Sequence, residues 1–339
     1  MARPVEAGVS AAGDRARILP LADGVTRPQW SVMIPTFNCA EHLRSCLTSV
    51  LAQDPGREQM QIEVVDDCST KDDPGAVVRE IAGDRVTFVR QPRNVGHVAN
   101  FATCLERSRG VLVHLLHGDD AVRDGFYRTM QRAFAMRPAP GAAFCRYISI
   151  DECGHWQTIS ALERPERGVL HGWLETIAVG QRLQPPCMVV RRDVYERLGG
   201  FDPGIGRYGE DWEMWARIAA HYPTWFEVQP LALYRVGCAS LSASSTRSGQ
   251  NVRDILRAID IINAYLPRER AEQARAQARE VAATTALRRA RRSIDAGNWA
   301  TALAQVRAAA RASRSPAVVL GLAHTALRFA VVASRAGRG

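Results

Sequence analysis

The sequence predicts an α/β fold: a mostly parallel, Rossmann-like sheet flanked by helices, followed by a less regular half and a helical C-terminal extension. Strand-like runs and helix-like segments alternate four times between Trp30 and Leu116. The runs are apolar almost throughout, as strands covered on both faces must be. Polar residues fall just after them, where sheets of this kind bind ligands.

WSVMIPTFN is the first strand, stopping near Pro35, and CAEHLRSCLTSVLAQ sets Leu43, Leu47, Val50 and Leu51 at helical spacing. IEVVDDCST is the second strand, ending on Asp66 and Asp67; a helix follows over DPGAVVREIAG. RVTFVRQ, the loop PRNVG, the helix HVANFATCLERSRG and the strand VLVHLL complete the half. A helix is expected over residues 122–136, and RYGEDWEMWARIAAHYP reads as another, opened by acidic residues that suit its N-terminus. From about Asn251 the chain is helical and rich in alanine and arginine. Three regions are therefore expected: a flexible leader over residues 1–28, a main domain over 29–247 with halves meeting near 120, and the extension over 248–339, parted at SGQ.

The 339 residues, 46% hydrophobic and 23% charged, suit a large globular fold. A net charge of +9 chooses no partner alone, and no nucleic acid is expected. Lys71 is the only lysine. The eight cysteines form no CxxC pair and no zinc spacing, pointing to a reducing, cytoplasmic compartment. No signal-peptide core appears in the first thirty residues. SPAVVLGLAHTALRFAVVAS (315–334) is the most apolar helical stretch, but His324 and Arg328 interrupt it. Its uninterrupted run is too short to span a bilayer, so a packed or interfacial helix is expected, with peripheral membrane contact as one use.

The strand ends raise chemical questions. Asp67 or Ser69 could cap the next helix, or an aspartate there could accept a hydrogen bond from the imide N–H of a base. A receiver-domain role is excluded, because the only lysine lies in the adjacent loop. GVLVHLLHGDD ends on Asp119 and Asp120, with His117 just before them. Adjacent carboxylates repel, so this is either a solvated turn or a site for a hard cation such as Mg²⁺ or Mn²⁺ completed by diphosphate oxygens. GEDWEMW gathers Glu210, Asp211 and Glu213 beside Trp212 and Trp215. Asp211 is a natural general base if the segment is functional, and N-terminal helix charge with core tryptophans if it is not. His97 could touch a phosphate or cap its helix, and His114 reads as a core residue.

Taken in order, SVMIPTFN, VVDDCST, RNVGHVAN, GVLVHLLHGDD, MVVRRDVYERLGGFD, GEDWEMWARIA and LALYRVGCASLS resemble the inverting glycosyltransferases of family 2 with a GT-A fold, over roughly residues 30–245. That resemblance implies a hexosyltransferase using a nucleotide-sugar donor. It places Pro35, Thr36, Asn38, Asp66, Asp67, Asn94, Gly96 and Asp120 around the donor, with Asp67 on the base. Asp119 becomes the metal ligand, with His117 beside it, and Asp211 the catalytic base supported by Glu210. Trp212, Trp215 and Trp173 are candidate stacking surfaces for a glycan or lipid-linked acceptor. Surface polysaccharide, glycolipid or cell-envelope assembly is the implied setting. Two departures stand out: His117 where the family commonly has an acid, and Gly237 where it often has a histidine. They favour the alternative of a catalytically weakened relative that binds a glycan or membrane. A sugar-nucleotide pyrophosphorylase would need a glycine-rich basic loop that PTFNCAEHL lacks.

Overall fold

The computed structural model describes residues 15–237 and 241–336. In chain order the elements are β1 (Trp30–Thr36), α1 (Ala40–Leu51), β2 (Met60–Asp66), α2 (Pro74–Ala82), β3 (Thr87–Arg90), α3 (His97–Arg107), β4 (Leu112–Leu115), β5 (Ala121–Val122) and α4 (Phe126–Phe134). Then come β6 (Ala142–Ile150), β7 (Trp156–Ile159), β8 (Gly168–Val169), α5 (Trp173–Ala178), β9 (Met188–Arg191), α6 (Arg192–Leu198), α7 (Glu210–His221) and β10 (Thr224–Arg235). Five helices close the chain: α8 (Leu241–Ser248), α9 (Gln250–Asn263), α10 (Arg268–Asp295), α11 (Trp299–Ala312) and α12 (Pro316–Ala336).

The ten described strands form one sheet in the order β3-β2-β1-β4-β9-β6-β10-β5, with β7 on β6 and β8 on β10. β3, β2, β1 and β4 are mutually parallel. The second half is mixed: β9 runs antiparallel to both β4 and β6, whereas β6 and β10 are parallel. Every residue of β1 and β2 is buried, as largely apolar strands covered on both faces must be, and the polar residues among them are paired: Ser31 with Gln61, and Glu63 with Arg107. Leu43, Leu47 and Val50 of α1 are fully buried, so the helical spacing marks the face that covers the sheet. The helix expected over 122–136 begins later, because Ala121 and Val122 pair with β10 first.

Register decides where the acidic turns emerge. Thr36 pairs with Asp66 across β1 and β2. Beyond β4 the ladder continues as Leu116 N–H donates to Met33 O and Gly118 N–H to Pro35 O. The ends of β1, β2 and β4 therefore open on one edge. At the opposite end Gly110 lies so close to β1 that a Cβ would sit 2.4 Å from the Ser31 nitrogen, a place only glycine can fill.

Both chain arms differ from expectation. Residues 15–28, the described part of the expected loose leader, are docked on the fold. Ile18 is buried, Gly200 N–H donates to Ala16 O, and Arg15 pairs with Asp202 at 2.8 Å. The start of the extension packs on the fold too: Ala258, Ile259, Ile262, Leu266, Ala274 and Ala278 belong to the main core, while Ala283, Ala286, Leu287, Ala308 and Ala309 form a second core with Val252 and Val318. The sequence hides this because short apolar contacts made by an arginine-rich helix leave no long hydrophobic run. The seven described cysteines are free, and Cys238 lies outside the described residues.

Because Ile18 is buried in the main core, Ile18→Ala should cost about 2 kcal/mol or more of unfolding free energy. Denaturant melts read this directly; an unchanged midpoint would show that the leader is loose after all.

Candidate active site

The turn after β4 is where charge is most crowded. His117, Asp119 and Asp120 each offer one ligand atom, and the three atoms lie within 4.8 Å of one another. Asp120 is buried; its Oδ1 accepts the Arg235 backbone N–H at 2.8 Å, while its Oδ2 has no hydrogen-bond partner. Burial and the charge of Asp119 push the Asp120 carboxyl well above its ordinary range. The His117 ring stacks on Phe101 at 5.0 Å, and its Nε2 is buried without a partner. Burial holds that imidazole below its ordinary range, against the charges of Asp119 and Glu210. An imidazole and a carboxylate that each carry an unpartnered buried atom, with the half-buried carboxylate of Asp119 beside them, form a donor set that fits a divalent cation.

The second acidic group arrives on α7. Gly209 precedes it in left-handed backbone (φ 100°), the conformation that turns the chain into the helix. Asp211 Oδ1 accepts its neighbour Trp212 N–H at 2.8 Å, and Oδ2 accepts the Gln181 side-chain amide at 2.6 Å. Burial and the adjacent Glu210 charge raise the Asp211 carboxyl to about 8. Glu210 moves the other way: burial opposes its ionisation, but His97, with Nε2 3.2 Å from Oε1, holds it below the ordinary range. The fields of Asp119, Glu210 and His97 all act on His117, and those of Asp119, Asp120 and Asp211 on Tyr234. Phe101 of α3 stacks on His117 at 5.0 Å and meets His97 edge-on at 5.5 Å, and His97 reaches Glu210, so α3 joins the turn to the start of α7.

Around the ends of β1 and β2 the side chains hold one another. Asn38 and Cys68 both take left-handed backbone, φ 51° and 59°. Asn38 Oδ1 accepts the Thr70 and Lys71 N–H groups, and its own N–H donates to Ser69 Oγ. Thr36 is buried with Oγ1 2.8 Å from Cys39 Sγ, and Pro35 offers its carbonyl to Gly118. Asp67 accepts the Val95 and Gly96 N–H groups at 2.7 and 3.0 Å, and Asn94 donates to Asp67 O. These groups tie three loops into one rim.

Four expected site residues need correction. Asp66 is fully buried, and its carboxylate is taken up by Ser69 and by Arg90 Nε at 2.7 Å, so it braces the turn instead of facing a ligand. Trp212 and Trp215 are core residues, each 2% exposed, and cannot stack on a sugar; the Trp212 indole donates to Ile177 O at 2.7 Å. Trp173 is likewise buried, stacked on Phe144. Both faces of α7 are covered, and a sequence does not reveal a helix's neighbours.

Two residues beyond the expected set, Gln181 and Arg235, enter the site. Gln181 carried no signal, being a lone amide in a loop. His97, expected to touch a phosphate or cap its helix, instead faces Glu210. Arg235 binds the acidic turn through its backbone to Asp120 and through Nε to Asp119 O, while its NH1 holds Asp151 O and Glu152 O. A second cluster, Asp151, Cys153 and His155, is half-buried to exposed, and its carboxylate is occupied within its own turn.

In a Rossmann-like sheet the edge where these acidic turns emerge is where ligands bind. The model of glycosyl transferase family 2 matches residues 31–199, about half the chain. The chain belongs to that family and is a glycosyltransferase. Asp211 falls beyond the matched segment. An uncharacterized protein, MT1568, of Mycobacterium tuberculosis is 29% identical over 67% of this chain and 73% of its own length. The O-antigen biosynthesis protein RfbC of Myxococcus xanthus is 24% identical over 57% of this chain, which spans only 16% of that protein. S. aureus TarS 1–349 in complex with UDP-GlcNAc superposes with a TM-score of 0.63 at 16% identity, over 91% of this chain and 92% of that one. The mannosyltransferase PcManGT of Pyrobaculum calidifontis, in complex with GDP-Man and Mn²⁺, gives 0.54 at 21% identity, over 89% and 80%. These two likenesses establish the fold, mixed α/β with a central sheet flanked by helices.

The raised Asp211 carboxyl has a consequence for stability. Between the ordinary aspartate value and about 8 the unfolded chain is ionised while the fold keeps its proton, so this residue makes stability fall as pH rises through that window. Asp211→Asn should therefore melt at the wild-type temperature near pH 4 and above it at pH 8. A variant that melts lower at both values would contradict the assignment.

Proposed function

We propose that the chain transfers a sugar from a nucleotide-sugar donor to an acceptor hydroxyl by direct displacement, inverting the anomeric configuration. One observation carries the reading: the His117–Asp120 turn is joined to the start of α7 through Phe101 and His97, which reaches Glu210, and the next residue, Asp211, is a carboxylate of raised proton affinity. Asp211 removes the acceptor proton as the acceptor oxygen attacks the anomeric carbon. Gln181 fixes the orientation of the base, and Glu210, kept ionised by His97, keeps its proton affinity high. The rim of Pro35, Thr36, Asn38, Asp67, Asn94 and Gly96 receives the nucleotide, and Asp67 selects the base by its edge.

Asp119, Asp120 and His117 would hold Mg²⁺ or Mn²⁺, which when bound supplies charge neutralisation to the departing diphosphate. The names of the solved relatives support a nucleotide sugar as donor, and one of them support for Mn²⁺. The relative named for O-antigen biosynthesis supports a glycan or lipid-linked acceptor in envelope polysaccharide assembly, and the free cysteines support a cytoplasmic location. A catalytically weakened relative is the second reading, favoured by His117 in the metal turn and by Gly237.

Release of nucleoside diphosphate from a panel of nucleotide sugars, with and without Mn²⁺, separates the two. Asp211→Asn should lower turnover by about 10²–10⁴-fold. Asp119→Ala should abolish the metal-dependent part. Because the base must lose its proton, kcat/KM should rise with pH on a limb well above the ordinary carboxylate range. Metal-independent release that neither substitution alters would refute the proposal.

A further inference from the structure

The net charge of the chain is not spread over it. Residues 288–339 hold ten arginines and one acidic residue, Asp295, a net +9 equal to that of the whole protein; residues 1–287 hold 34 basic and 34 acidic residues. The transferase fold is electrically balanced. The end of α10, α11, α12 and their flanks are not.

The same segment exposes apolar side chains. On α12 Leu320 and Leu327 are 71% and 65% exposed, and Val319, Phe329 and Val331 are exposed too. Leu320, Ala323, Leu327 and Val331 recur at helical spacing and form one stripe. Trp299 of α11 is exposed and meets Phe329 edge-on at 5.0 Å, joining the two helices into one patch. Exposed arginines accompany it: Arg288 and Arg292 on α10, Arg307 and Arg311 on α11, and Arg314 before α12. A cleft of about 540 Å³ at the start of α12 is lined by Arg279, Arg311 and Arg314.

The stretch Pro316–Ser334 is, by length and composition, long and apolar enough to cross a bilayer, and only 11% of its most apolar window is buried. Its other side is tied lengthwise to α10. Arg328 pairs with Asp295 at 2.8 Å, Arg291 donates to buried Thr325, and Gly321 lets the helices approach so closely that a Cβ would lie 2.8 Å from Leu287. α10 carries too many arginines to enter hydrocarbon, so a helix bound along it is placed to lie on a membrane and not through it.

We propose that α11 and α12 form a docking surface for an anionic lipid bilayer. Leu320, Leu327, Phe329 and Trp299 enter the boundary between headgroups and acyl chains, and the surrounding arginines meet lipid phosphates. A second copy of this chain would bring another +9 against the first, and a nucleic acid would leave the apolar stripe uncovered. The surface is independent of the catalytic reading, since it needs neither donor nor metal.

Co-sedimentation of the full chain with vesicles tests it. Partitioning onto phosphatidylcholine vesicles with about 30% phosphatidylglycerol in about 0.1 M salt should exceed that onto phosphatidylcholine alone at least about tenfold, and should be lost in about 1 M salt. The double variant Leu320→Glu/Leu327→Glu, on exposed positions, should weaken partitioning at least about tenfold, as should Arg307→Glu/Arg311→Glu/Arg314→Glu. Both should keep wild-type melting and donor turnover. Equal partitioning onto neutral vesicles, retention after alkaline carbonate, or wild-type binding by both variants would overturn the proposal. So would a lipid-free dimer that Leu320→Glu/Leu327→Glu dissociates, or tighter capture by RNA than by vesicles.

Discussion

Two carboxylates on neighbouring residues at the end of a buried strand constrain everything around them. Asp119 and Asp120 repel, and the burial of Asp120 makes its charge costly. The protein answers with one backbone N–H, from Arg235, and with the Arg235 guanidinium bound to the carbonyl of Asp119. It leaves Asp120 Oδ2 without a partner, and His117 Nε2 beside it likewise. A turn built only for capping would not keep these atoms buried and unmet, because each costs free energy that a hydrogen bond would restore.

The acid on α7 depends on parts of the chain that look peripheral. Glu213, two residues on from Asp211, on the other side of α7 and fully buried, accepts Tyr265 Oη at 2.5 Å, pairs with Arg217 at 3.1 Å and reaches Arg15 at 3.4 Å. Tyr265 belongs to the extension and Arg15 to the leader, so both arms of the chain grip the helix that carries Asp211. The loop before α7 is held in the same way. Arg207 N–H donates to Asp254 of α9 at 3.1 Å, and Arg289 of α10 donates to Tyr208 Oη at 2.7 Å. The helical extension therefore serves as a buttress for α7 and as the carrier of the chain's positive charge.

Much of this architecture was legible in the residues. Parallel strands announce themselves as unbroken apolar runs, and the polar residues behind them had to converge once the strands lay side by side. The antiparallel entry of β9 between β4 and β6 was not legible, since MVVR carries no mark of direction. Roles within acidic pairs were the hardest part. Asp66 and Asp67 look equivalent in VVDDCS, yet Asp66 is occupied by Arg90 from β3, a partner set by sheet register and not by spacing. Trp212 and Trp215 were misread because a tryptophan beside an acid looks the same whether the next layer is solvent or, as here, packed protein. His97 and Gln181 become site residues only when α3 and the loop after α5 close on α7.

The central claim is that the turn after β4 and the start of α7 form one site for a metal-bound nucleoside diphosphate. A crystal structure of the protein with a nucleoside diphosphate and Mn²⁺ tests it most directly. The expected result is an ion at about 2.0–2.3 Å from an Asp119 or Asp120 oxygen and from the diphosphate, with the base against Asp67. A diphosphate bound elsewhere, or seated there with the ion held by none of His117, Asp119 and Asp120, would contradict it.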